Sequence, residues 1–173
     1  MILLFGMGFM LAFFYTAKPL GLKYLALGDV VIILAFGPVV QQFVCLMLTG
    51  HFRPQILPFC IPIALLTEAI LHANNSRDIQ SDSEAGVTTL STLLGFKASY
   101  IIYAAIYIVT YISIPLLAHA WKMNGLYVTF LTMPSALKLV SKFGTDIETL
   151  DQESAQFHSL FGISMLIGII SGY

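Results

Sequence analysis

Asn74, Asp78 and Asp82 stand four residues apart in the run "NNSRDIQSDSEAG". On an α-helix this spacing drifts by only about 40° per step, so one face presents an amide and two carboxylates. Like charges one turn apart repel. A hard divalent cation such as magnesium, which takes oxygen ligands and bridges carboxylates to substrate phosphates, would offset that repulsion. A solvated helix end whose acids keep a loop in water is the other reading, and the spacing leaves both open. Gly86, free to adopt a left-handed conformation, is expected to end the helix.

A second polar stretch, "YTAKPLGLKY", offers Lys18 and Lys23 to phosphate oxygens and Tyr15 as a hydrogen-bond donor. The same side chains would equally serve as interfacial anchors. Glu68 precedes Asp78 by ten residues inside an apolar run, where a carboxylate costs about 2.5–3.5 kcal/mol on insertion scales. It is expected to face the bundle interior, either bonding a substrate or locking helices together while protonated. His72 reads as a packed or interfacial histidine, because no His or Cys stands three or four residues away. Gln41 and Gln42 are expected to bond a neighbouring helix, and Asp146 to Glu153 to form a solvated connector.

The elements that must position these residues are membrane helices. Of 173 residues, 58% are hydrophobic and 10% charged, and the mean hydropathy is +0.87, outside the range of soluble domains. A net charge of -1 gives no nucleic-acid footprint. Cys45 and Cys60 lie in apolar runs without C-x-x-C spacing, which argues against a disulfide framework or a zinc site. Runs of about 20 apolar residues span a bilayer, and they fall near 29–49, 55–73, 98–118, 124–140 and 157–173, after an apolar stretch at 1–15. Backbone in lipid must satisfy its own hydrogen bonds, so all read as helices, with Pro58, Pro62 and Pro115 as kink points. Loops at 16–28, 74–97 and 138–156 then share one side, with Lys18, Lys23, Arg77, Lys97, Lys138 and Lys142 against Arg53 and Lys122 on the other. That side is cytoplasmic or its topological equivalent.

Together the two motifs resemble the UbiA superfamily of membrane prenyltransferases. Asn74, Asn75, Arg77, Asp78, Asp82, Gly86, Thr89 and Leu90 meet the second aspartate-rich pattern of its menaquinone branch, N-N-x-R-D-x3-D-x3-G-x2-T-L. Tyr15, Thr16, Pro19, Tyr24, Leu27, Gly28 and Asp29 resemble its Y-T stretch ending in L-G-D. The similarity runs from residue 1 to 173 and implies an all-α, polytopic transmembrane helix bundle of about six helices, corresponding to helices four to nine of a nine-helix fold. It also implies one transmembrane prenyltransferase domain over 1–173, truncated at its N-terminus.

By this resemblance Asp78 and Asp82 are catalytic and hold Mg2+ together with Asn74. Lys18, Lys23, Tyr15, Arg77 and Asn75 bind the diphosphate, the choice between the two lysines staying open, and Glu68 stands on the acceptor side. The implied reaction moves an isoprenyl group, geranylgeranyl, from its diphosphate to a naphthoquinol in menaquinone (vitamin K) biosynthesis. Alternatives are another aromatic acceptor, such as 4-hydroxybenzoate or homogentisate, or a non-catalytic isoprenoid-binding membrane protein. Membrane lipid and a sterol-pathway membrane protein are implied partners. The implied location is a membrane of the endoplasmic reticulum or Golgi, with the mitochondrial membrane as the alternative. The superfamily's first aspartate-rich motif has no counterpart, since no acid precedes Asp29; this chain by itself is therefore expected to hold half of a two-metal site and not to catalyse transfer.

Overall fold

The computed structural model describes residues 2–17 and 21–172, so Lys18 and Pro19 lie outside it. All six expected apolar segments are helical. The first is α1 (Ile2–Thr16). The second is α2 (Gly28–Leu34), which passes through a π turn at Ala35–Val39 into α3 (Val40–Thr49). A 3-10 turn at Pro54–Phe59 leads into α4 (Cys60–Arg77), followed by the short helices α5 (Ile79–Glu84) and α6 (Leu90–Leu94). Then come α7 (Phe96–Trp121), a 3-10 segment at Asn124–Thr132 running into α8 (Met133–Phe143), and α9 (Leu150–Ser171). Gly28–Thr49, Pro54–Arg77, Phe96–Trp121 and Leu150–Ser171 are each long and apolar enough to cross a membrane. With Ile101, Ile108, Ile112 and Leu116 exposed along α7, the chain is an integral membrane protein.

Helix α4 lies at the centre, packed against α2, α7 and α9. Between α7 and α9 the hydroxyls form a directed chain. Ser154 Oγ donates to the Leu150 carbonyl at 2.6 Å, so Tyr103 must donate to Ser154 at 2.7 Å, and Tyr107 in turn to Tyr103 at 3.2 Å. In the same way Thr132 donates to Thr129 O and receives the Tyr111 proton at 2.7 Å. Such bonds and close packing hold helices together in lipid, where apolar surface alone gives no preference for a neighbouring helix.

Four local expectations need correction. The stretch near 124–140 is not one α-helix: it starts as 3-10 because Gly125 abuts Gly168 of α9, where a Cβ on Gly168 would lie 2.6 Å from the Gly125 carbonyl oxygen. Helix α9 begins at Leu150, earlier than the expected 157, placing Asp151 and Glu153 in a first turn whose unpaired N–H groups favour carboxylates. The break in a spanning segment falls at Gly37 (φ -97°, ψ -106°) before Pro38. Pro62, by contrast, sits in the first turn of α4, where no intrahelical donor is lost, and α7 continues through Pro115. Finally, Gln42 bonds the loop after α3 and not a helix, its Nε2 donating to Arg53 O at 2.9 Å, while Gln41 Nε2 donates to Ile56 O at 2.8 Å in the 3-10 turn that opens the next span, as expected.

Gly125→Val is expected to lower stability in detergent by about 1–3 kcal/mol through overpacking, read as a drop in thermal midpoint. Gly162→Ala, whose methyl would meet only Ile63 Cδ1 at 4.0 Å, should leave the midpoint unchanged or raised.

Candidate functional site

At one end of the bundle three loops converge. The Ala26 N–H donates to Thr88 O at 3.0 Å, beside an isolated bridge between Leu25 and Thr88. That contact joins the turn carrying Lys23 to the turn after α5. Arg77 Nη1 donates to Asp151 Oδ2 at 2.9 Å, joining the end of α4 to the start of α9. The three loops therefore share a side.

The central pair is Arg77 and Asp78. Nε donates to Oδ1 at 2.8 Å and Nη2 to Oδ2 at 3.1 Å, a two-pronged contact. Adjacent residues on a regular helix point apart, so this contact needs a backbone break, and Asp78 sits at φ -92°, ψ 10°, between α4 and α5. The hydrogen bonds Asp78 N–H to Asn74 O (3.1 Å) and Asp82 N–H to Asp78 O (2.8 Å) carry the four-residue register across it. Asn74, Asp78 and Asp82 therefore stay on successive turns. Gly86, at φ +68°, ends α5: the Gly86 N–H donates to Ser83 O and the Val87 N–H to Asp82 O, a Schellman motif. Thr89 then caps α6 through reciprocal bonds with Thr92.

Burial raises the Asp82 carboxyl above the usual carboxylate range, Asp78 adds to the rise, and Lys23 opposes it. Lys23 is thus within electrostatic reach of Asp82. The expected solvated connector holds for 146–149, where Asp146, Glu148 and Thr149 are exposed, but from Leu150 the chain is α9 and its acids are engaged: Asp151 pairs with Arg77, while Lys142 pairs with Glu153 and with Asp146 at 3.2 Å, and Glu153 holds the Lys142 ammonium above its usual pKa.

A second polar group lies deeper. Glu68 is 3% exposed and faces inward, as an acid at that depth must. Its neighbours are His72, one turn along α4, and Asp29, the second residue of α2. One ligand atom from each of the three lies within 4.8 Å of the others. His72 Nδ1 is 3.3 Å from Asp29 Oδ1, and Nε2 donates to the Ser99 carbonyl at 3.0 Å. Tyr15 packs where Gly28 has no side chain and is in electrostatic reach of Glu68 and Asp29, so it covers this deeper group. Asn75 is buried beside Ser76, whose hydroxyl donates to His72 O at 2.6 Å and accepts from Ser91 at 3.0 Å. Sequence reasoning passed over Asp29 and His72 as members of one group. The signal was present in Glu68-x3-His72, a carboxylate and an imidazole on one helix face.

The fold and the polar end define a class: a polytopic helical membrane protein with acidic and basic side chains gathered at one face. A profile of the UbiA prenyltransferase family matches residues 1–161, and the chain belongs to that family. It is 38% identical over 164 residues to UbiA prenyltransferase domain-containing protein 1 of Dictyostelium discoideum, covering 94% of this chain and 50% of that protein. The proteins of the same name from Danio rerio and Homo sapiens are each 39% identical over 160 residues, covering 92% of this chain and 47% of theirs. The chain spans about half the length of the curated relatives it matches.

Two outcomes test the polar end. A double-mutant cycle of Arg77→Gln and Asp151→Asn should return a coupling of about 0.5–1 kcal/mol, modest because both groups keep contact with water. For Asp82, a raised folded pKa means stability present below the ordinary carboxylate pKa of about 4 and lost as pH rises through the raised value. Asp82→Asn should therefore raise the denaturation midpoint at neutral pH and have little effect below about pH 4.

Proposed function

We propose that the chain forms the diphosphate-binding part of a membrane prenyltransferase that moves a geranylgeranyl group from its diphosphate to a naphthoquinol, a step of menaquinone biosynthesis, in an endoplasmic reticulum or Golgi membrane. The observation that carries this reading is the link from Ala26 to Thr88, which joins the turn carrying Lys23 to the turn after α5, with Lys23 within electrostatic reach of Asp82. Family membership supports the reaction type.

The donor set fits magnesium. Asp78 and Asp82 offer oxygen alone, one turn apart and part-exposed at the polar face, and among the described residues Asp82 has no ion-pair partner. Asp78 gives one hydrogen bond's worth of each oxygen to Arg77 and keeps further lone pairs. Held by Asp78, Asp82 and Asn74, the ion would act as a Lewis acid on the diphosphate oxygens.

The chain's own residues do the rest. Lys23 meets the charge that develops on the departing diphosphate as the allylic carbon–oxygen bond breaks, a contact worth more in the transition state than before it. Arg77 fixes the Asp78 carboxylate and keeps Asp151 from repelling the anion. A groove of about 380 Å³, lined by Gly8, Leu11, Tyr15, Val31, Ala35 and Phe36, offers the isoprenoid tail an apolar wall between α1 and α2. Water kept from the allylic cation leaves the electron-rich quinol ring as the nucleophile, and the ring carbon that bonds the prenyl group then gives up its proton to solvent at the polar face.

The test is binding of geranylgeranyl thiodiphosphate to the protein in nanodiscs, with and without magnesium. Asp78→Asn and Asp82→Asn should each weaken magnesium-dependent binding by roughly 10- to 100-fold, the loss of one charge-assisted contact. Lys23→Ala should weaken binding while keeping the magnesium response. Binding that ignores magnesium, or that survives Asp78→Asn unchanged, would remove the basis of the proposal. Transfer of labelled geranylgeranyl to menadiol, set against 4-hydroxybenzoate, then fixes the acceptor.

A further inference from the structure

We infer that Asp29, Glu68 and His72 form a second, buried divalent-cation site of the zinc or first-row transition-metal class, separate from the carboxylates at the polar face. His72 precedes Asp78 by six residues and Glu68 by ten, placing them about 9 and 15 Å further along the α4 axis. An ion here shares no ligand with Asp78 or Asp82.

The hydrogen bonds fix which imidazole atom is available. The Ser99 carbonyl can only accept, so His72 Nε2 carries the proton it donates. Nδ1 faces Asp29 Oδ1 at 3.3 Å, a contact that calls for one positive charge between the two atoms: a proton on Nδ1, or a metal ion that takes a lone pair from each. A backbone carbonyl holding the far nitrogen of a histidine is also the usual support for a metal-ligating imidazole, since it fixes both tautomer and ring plane.

Glu68 supplies the independent observation. Among the described residues, both of its buried oxygens lack a hydrogen-bond partner, as does Asp29 Oδ2. A single proton between Glu68 and Asp29 would serve at most two of these three oxygens, whereas one ion can be reached by all three side chains. With bonds near 2.0–2.2 Å, ligand atoms around an ion are separated by roughly 3–4.4 Å, within the 4.8 Å spread of this group. Charge balance agrees, because two carboxylates and a neutral imidazole around a divalent ion sum to zero, the least costly total in a low-dielectric interior. One nitrogen among oxygens favours zinc, manganese, iron or cobalt over magnesium. The ion would bind α2 directly to α4, with α7 engaged through Ser99, so it would set the position of the Lys23 turn relative to the aspartates.

The test is metal content of the protein in nanodiscs by mass spectrometry after a brief chelator wash. About one zinc-class ion per chain should survive in the wild type and in the Asp78→Asn, Asp82→Asn double variant, and should be lost in Glu68→Gln and His72→Asn. X-ray absorption of the cobalt-loaded wild type, which needs no substitution, should show one imidazole among oxygen ligands. No stoichiometric ion in the wild type, full retention in Glu68→Gln, or a cobalt shell without imidazole would overturn the inference and leave protons as the balancing charge. None of these outcomes depends on whether the polar face binds a diphosphate.

Discussion

The guanidinium of Arg77, lying between the carboxylates of Asp78 and Asp151, is the contact on which the polar end depends. Gripping its own neighbour requires the backbone to leave helical geometry at Asp78, and that break aims α5. Helix α5 in turn ends at Gly86, whose left-handed conformation sends the chain to Thr88, and Thr88 holds the turn that carries Lys23. One cation thus orders a path through α4, α5, the first loop and α9. Its exposure keeps the energy of each pair modest, so its importance lies in direction: it decides where the acids point.

Away from that end the lipid sets harsher terms, since a polar atom there finds no water. The tyrosines of α7 meet this by passing protons in a fixed order along Tyr107, Tyr103 and Ser154 to a backbone carbonyl, so every hydroxyl in that chain has a place for its proton. Glu68 differs from that chain in that, among the described residues, both of its buried oxygens lack a hydrogen-bond partner, and Asp29 Oδ2 beside it lacks one too. Three such carboxylate oxygens in one group are what made the deep group visible.

Much of this was legible beforehand, for reasons that differ by residue. Spans could be read because twenty apolar residues have few other homes, and Gly86 because only a left-handed residue closes a Schellman motif without strain. The register of Asn74, Asp78 and Asp82 survived the break at Asp78 because the backbone bonds bridging it are still four residues long. What escaped was set by contacts between distant segments. The Gly125 and Gly168 apposition joins residues 43 positions apart and forces a tighter helix that local pattern does not announce. Asp151 looked like a solvated acid until Arg77, 74 positions away, was placed against it. Asp29 and His72 are likewise separated by 43 positions, and a search confined to His and Cys overlooked the carboxylate one turn from His72.

The π turn at Ala35–Val39 has a consequence of its own. A turn closed by five-residue bonds accommodates one residue more than an α-helical turn, and Gly37 lets the backbone bend there against Ala64. The rotational phase of α3 is therefore offset from that of α2. Below the turn, α2 directs Asp29 toward α4; above it, α3 directs Gln41 and Gln42 toward the segment that follows it. The extra residue thus lets one membrane-crossing segment aim polar side chains at two different partners.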